Sequence, residues 1–204
     1  SDFGNDFKLS QLDHELLKKL TTQIFSQDDV PFEQGYNNFR VVLSTYFFKD
    51  FPFKFKNYNL DDKIEDKLFK DIRQPTENYY FYFDMGQIAS VSRGLALTEQ
   101  AILWKNLMGH SIKWNNLTGS AHRLAFDQIS KVALNYETSL SALHHWKLRL
   151  NEDYEIVLSD LSLENVERFA QALVYFIKIA SNANLTLQVP NETRAVLKKA
   201  FSEK

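Results

Sequence analysis

Chemistry in this chain has to come from histidines, carboxylates, lysines and hydroxyls, because its 204 residues include no cysteine. That removes thiol nucleophiles, disulfides and Cys-ligated zinc together. Five histidines are present. His144 and His145 are adjacent, so on a strand they point to opposite faces and do not share a metal ion. His110 and His122 flank the stretch 109–120 and could meet across a hairpin, where Asp127 or Glu99 would complete a candidate ligand set. Surface histidines without a ligand role are the plainer reading. Asp84 ends an aromatic run and is a candidate general base, but no paired carboxylate accompanies it. The phosphate-cradling glycine motifs, the G-x-S-x-G elbow and H-E-x-x-H are all missing. No metal, cofactor or catalytic residue is expected.

Two groups of residues could bind rather than react. The stretch 46–58 has seven aromatic residues among thirteen, interleaved with Lys49, Lys54 and Lys56. Phe51, Phe53, Lys54, Phe55 and Lys56 are its candidate membrane or partner patch, since aromatic rings favour the bilayer interface and lysine favours anionic lipid. The competing reading is that these rings form a shared core. The middle of the chain supplies the second group. Arg93, Lys105, Lys113, Arg123, Lys147 and Arg149, with Lys131 beside them, would hold an anionic headgroup if the fold gathered them. A dispersed, solvated set is the alternative.

The charge balance limits the partners. The formal charge is −2, with net −3 over residues 1–78, +3 over 79–150 and −2 over the remainder. A duplex nucleic-acid binder carries a much stronger basic bias, so no nucleic acid is expected. The longest purely apolar run, 172–177, is far short of a membrane span. No signal peptide is visible, although the chain opens on Ser1 and reads as trimmed. A cytoplasmic location is expected, with attachment to a membrane surface as the alternative.

The elements that must position these residues follow from periodicity. Leu12, Leu16, Leu17, Leu20, Ile24 and Phe25 recur at helical spacing, and Asp28, Asp29 and Pro31 end that helix. A second helix is expected over 34–48. Residues 51–58 alternate with period two, and Pro52 confines them to an edge strand or extended loop. Ile64, Leu68 and Ile72 stripe a short helix over 59–73. From residue 79 the pattern turns to strands, expected near 79–85, 93–98, 101–105, 111–114, 129–137, 144–150 and 154–159. Glycines and the pairs Asn115–Asn116 and Glu152–Asp153 break them with turn chemistry. An amphipathic helix follows over 162–181, with Val166, Phe169, Ala170, Leu173, Phe176, Ile177 and Ala180 as its apolar stripe. A short strand at 185–189 and a helix from Asn191 to Phe201 close the chain.

Part of this pattern has a familiar form. The run Gly94-Leu-Ala-Leu-Thr98-Glu-Gln-Ala-Ile-Leu-Trp104-Lys-Asn106 resembles a hairpin of bacterial PH-like and GRAM-like domains. Phe126-Asp-Gln-Ile-Ser-Lys-Val resembles their aromatic-plus-acidic strand start. Ala101, Glu99 and Gln100 depart from the turn residues of that pattern. The resemblance covers about residues 79–182 and implies a PH-like antiparallel β-barrel capped by the C-terminal amphipathic helix. The expected class is therefore α+β. A mainly helical segment, 1–77, packs on a barrel with its helix, 78–182, and a tail of 183–204 follows. The expected function is a non-enzymatic binding or scaffolding module acting through a protein partner or self-association. Peripheral binding to anionic membrane is the second reading, and an enzyme of unspecified chemistry is the third.

Overall fold

The computed structural model describes residues 11–47, 49–56, 68–85, 93–106, 121–138, 144–158, 161 and 163–202. Two helices open the chain, α1 (Gln11–Phe25) and α2 (Phe32–Tyr46). Strands β1 (Phe53–Phe55), β2 (Tyr79–Asp84), β3 (Gly94–Thr98), β4 (Ala101–Lys105) and β5 (Ala121–Ala125) form one antiparallel sheet in sequence order. A second sheet holds β6 (Val132–Thr138), β7 (His144–Leu150) and β8 (Tyr154–Leu158). Helix α3 (Leu163–Ser181) follows, then β9 (Leu187–Gln188) and helix α4 (Asn191–Ser202). The second sheet runs β8-β7-β6-β9, with β9 parallel to β6.

Period-two alternation sets the faces. Registers Phe53↔Phe83, Phe83↔Leu95, Leu95↔Trp104 and Trp104↔His122 line the inner face of the first sheet. In the second sheet Leu134↔Leu148 and Leu148↔Ile156 do the same. The core lies between these faces, and α3 enters it. The Phe169 ring lies 5.6 Å from Phe53 and 5.5 Å from Phe83. Sequence periodicity gives α3 a single apolar stripe, yet Ala172, Val174 and Tyr175 off that stripe are buried as well. The reason is a second cover: α2 also packs against α3, so its apolar surface extends beyond one stripe. The two helices approach at Gly35, where a Cβ would lie 2.7 Å from Ile179 Cγ2.

The expected barrel is not what forms. Among the described residues the strands make a five-stranded antiparallel sheet and a four-stranded mixed sheet, with no hydrogen-bonded closure. Side chains, not another strand, occupy the outer edge of β8. Asn106 Nδ2 donates to Glu155 O at 2.8 Å, and its Oδ1 accepts from Val157 N at 3.0 Å. Arg93 donates to Val157 O at 3.0 Å. The edge is laced shut at the end of β4, so its backbone groups are satisfied without a strand partner.

Other expectations can be placed. β1 is an edge strand, as Pro52 requires, and Pro52 O accepts from Asp84 N at 3.1 Å. β5 has no counterpart in the sequence reading, because the run Ala-His-Arg-Leu-Ala offers little strand preference. The strand expected at 111–114 and most of the helix expected at 59–73 lie outside the described residues. Leu68 and Phe69 are described, and they pack with Tyr82 and Leu103 on the outer face of the first sheet. The core runs across residue 77, joining Phe39 and Phe55 to Phe81 and Phe176. No helix among the described residues is long and apolar enough to cross a membrane.

Candidate polypeptide-binding groove

The basic residues do not gather. Arg93 is 5% exposed and spent on β8. Arg123 lies on the outer face of the first sheet, where its Nε and a terminal nitrogen reach Glu77 Oε1 at 2.8 and 2.5 Å. Glu77 also accepts from Thr98 Oγ1 at 2.7 Å. Lys105 is half-buried at the end of β4. Lys113 lies outside the described residues. Lys147 and Arg149 share the outer face of the second sheet, two residues apart, and both face the buried carboxylate of Glu155, at 2.9 and 3.9 Å. A cavity of about 470 Å³ opens beside Arg149, bordered by Lys131, Glu152 and Asp153. Lys131 pairs with Glu152 there, and that pairing holds the exposed Glu152 carboxyl below its usual range. Each cation on this face meets a carboxylate, so no anion-binding focus results.

The aromatic patch is core. Phe51 packs 4.8 Å from Phe47 and 5.6 Å from Phe83, Phe53 stacks on Phe169, and Phe55 meets Phe39 edge-on. Phe55 is buried, and Phe51 and Phe53 are half-buried against the same core. Lys54 is half-buried opposite Tyr82, and Lys56 lies 4.2 Å over the Tyr80 ring. The period-two pattern that makes β1 a strand also turns all its rings inward.

His122 is inward too. It stacks on Trp104 at 5.4 Å, and burial pushes its pKa down. Its Nε2 and the Trp104 Nε1 are buried with no hydrogen-bond partner. His110 lies outside the described residues, so the proposed metal pairing does too. Among the described residues no group of three or more ligating side chains is placed for a metal ion. Asp84 sits half-buried at the end of β2.

A different surface has the shape of a site. Helix α1 lies on α3, with Phe25 4.9 Å from Tyr175, and reaches α2 through Thr21 Oγ1, 3.1 Å from Tyr46 OH. Asn38 Nδ2 donates to Tyr175 OH at 3.1 Å, fixing that ring in the floor. Between α1, α3 and the segment 185–187 runs a cavity of about 410 Å³, walled by Thr22, Phe25, Val174, Leu185 and Leu187. A second, of about 390 Å³, lies between the turn at Asp28 and Asp29 and the turn at 182–184. Tyr175 and Lys178 border both, so the two form one groove along α3. Its polar end is built by helix termination. Asp29 and Asn182 take φ of 55° and 56°, and Asn182 N donates to Lys178 O at 2.8 Å. Asp and Asn tolerate this left-handed region, which ends a helix and turns the chain back. Sequence reasoning missed the groove. The available signal was Val174 and Tyr175, apolar side chains of α3 outside its stripe.

No family model and no curated protein matches the chain. A solved structure that it resembles is the hSac2 domain from human phosphoinositide phosphatase Sac2, at 12% identity, over 68% of this chain and 92% of that one, with a TM-score of 0.41. That domain comes from an enzyme. The expectation of a PH-like or GRAM-like module is withdrawn with the barrel on which it rested, since the described strands form two separate sheets. A likeness this slight assigns the chain neither fold nor activity.

Proposed function

We propose that the chain binds a polypeptide segment of a protein partner in the groove between α1 and α3. One observation carries this reading: an apolar cavity and a polar cavity adjoin along a single helix, with Tyr175 and Lys178 as their common wall. Each has the volume of a ligand site. Together they are long and open rather than enclosed, which suits a chain segment better than a compact molecule. The charged residues of both sheets support the reading by being occupied elsewhere.

Selection from a displayed random 12-residue peptide library on the full chain tests it. Thr22→Trp and Thr186→Arg would obstruct the groove from exposed positions, where folding is insensitive to substitution. Enriched peptides should lose at least tenfold in affinity for either variant. Peptides that bind both variants as well as the native chain would overturn the reading.

A second observation favours self-association. Leu16 and Leu20 are 53% and 46% exposed on α1, and Val41 is 53% exposed on α2. Sedimentation velocity should then show a dimer that the Leu16→Gln, Leu20→Gln pair dissociates. A monomer at every concentration would end that reading.

A further inference from the structure

We infer that the segment in this groove binds as an added strand on the outer edge of β9, with a lysine or arginine directed at Asp28 and Asp29. The inference rests on the groove being a polypeptide site and specifies what it recognises. Three features of the structure carry it.

The first is that β9 is longer in conformation than in hydrogen bonding. Only Leu187 and Gln188 pair with β6. Yet burial alternates strictly over 183–190: Ala183, Leu185, Leu187 and Val189 turn inward, while Asn184, Thr186, Gln188 and Pro190 are exposed. Period-two burial over eight residues is the signature of an extended strand. The second feature is that this strand ends its sheet, whose order is β8-β7-β6-β9. Its outer edge lacks the usual guards, having no lysine, and proline only at its end. The opposite edge, β8, is laced by Arg93 and Asn106. Among the described residues, one edge of the sheet is thus closed by side chains and the other carries no further strand. Added strands draw affinity from main-chain hydrogen bonds and specificity from pockets for alternate side chains.

The third feature is the order of the pockets along that edge. The apolar cavity lies beside 185–187 and the polar one beside 182–184. At about 3.3 Å per residue, an apolar anchor and a basic residue would stand roughly two to four positions apart. Asp28 and Asp29 give the polar cavity two carboxylates against the single ammonium of Lys178. That imbalance selects for positive charge.

Peptides enriched from the 12-residue library would be resynthesised and scanned by N-methylation. Loss should fall on alternating amides, by about fivefold or more at each, since a net hydrogen bond contributes about 1 kcal/mol. Asp28→Asn with Asp29→Asn should weaken binding about fivefold at low salt, and the difference should shrink at high salt. Asn tolerates the left-handed φ at position 29, so the pair changes charge and not the turn. Winners with apolar anchors at i and i+4, helical when bound and indifferent to alternate N-methylation, would overturn the strand mode while leaving the groove reading intact. The same holds if the Asp28, Asp29 pair has no effect. Winners insensitive to Thr22→Trp would remove both.

Discussion

Asn106 replaces a strand partner, and its loss should be costly in a calculable way. Its side chain is 6% exposed and satisfies two backbone groups of β8, the Glu155 carbonyl and the Val157 amide. A near-isosteric Asn106→Leu keeps the volume and admits no water, so both groups would be buried without partners. Each orphaned group costs about 1–3 kcal/mol, giving about 2–6 kcal/mol in all. For a domain of this size that is a fall in Tm of roughly 4–24 °C. Asn106→Asp separates the two bonds, because it can still accept from Val157 but no longer donate to Glu155. Arg93→Met removes the donor to the Val157 carbonyl. Since Arg93 and Asn106 hold the same residue, the double variant should depart from additivity by about 0.5–3 kcal/mol. Urea unfolding followed by far-UV circular dichroism measures all four proteins. A loss below about 0.5 kcal/mol for Asn106→Leu would refute the lacing, because that is the size of effect an uninvolved surface position gives.

Further outcomes follow from packing and charge. Gly35→Val should destabilise by about 3 kcal/mol through overpacking on Ile179, with partial recovery in the Gly35→Val, Ile179→Ala pair, as read by thermal denaturation. His122 should make the fold acid-sensitive. Burial lowers its folded pKa, so below the ordinary histidine range the unfolded chain binds a proton that the folded one refuses. Stability should therefore fall as pH drops from 7.5 to 5.5, and His122→Phe, which keeps a ring against Trp104, should flatten that slope. Tyr36 works at the other extreme. Burial chiefly pushes its pKa up, to about 12, while its hydroxyl donates to Tyr80 O and accepts from Lys56 N. The stability it contributes is complete below pH 10 and should be lost between pH 10 and 12, a loss absent in Tyr36→Phe.

How much of this was legible depends on the kind of signal. Periodicity located the helices at both ends of the chain and eight of the nine described strands, because side-chain spacing is a local property. Two sheets in place of a barrel could not be read, since the decision rests on Asn106 and Arg93 reaching residues about fifty or more positions away. β5 escaped because its residues have no strong strand preference and owe their conformation to pairing with β4. The basic residues look like a site when only their charge is counted. Glu77 and Glu155, far off in sequence or on the next strand, turn them into ion pairs. The groove is harder still, because it is space left between α1, α3 and the tail. Its trace is the excess apolar surface of α3 at Val174 and Tyr175, which only a second covering layer explains.

The most direct test of the central claim is a ¹H–¹⁵N titration of the full chain with a peptide selected from the 12-residue library. Shifts should concentrate at Thr22, Phe25, Lys178 and residues 183–187, the walls of the groove. Shifts confined to Lys131, Arg149 and Asp153, on the outer face of the second sheet, would contradict it.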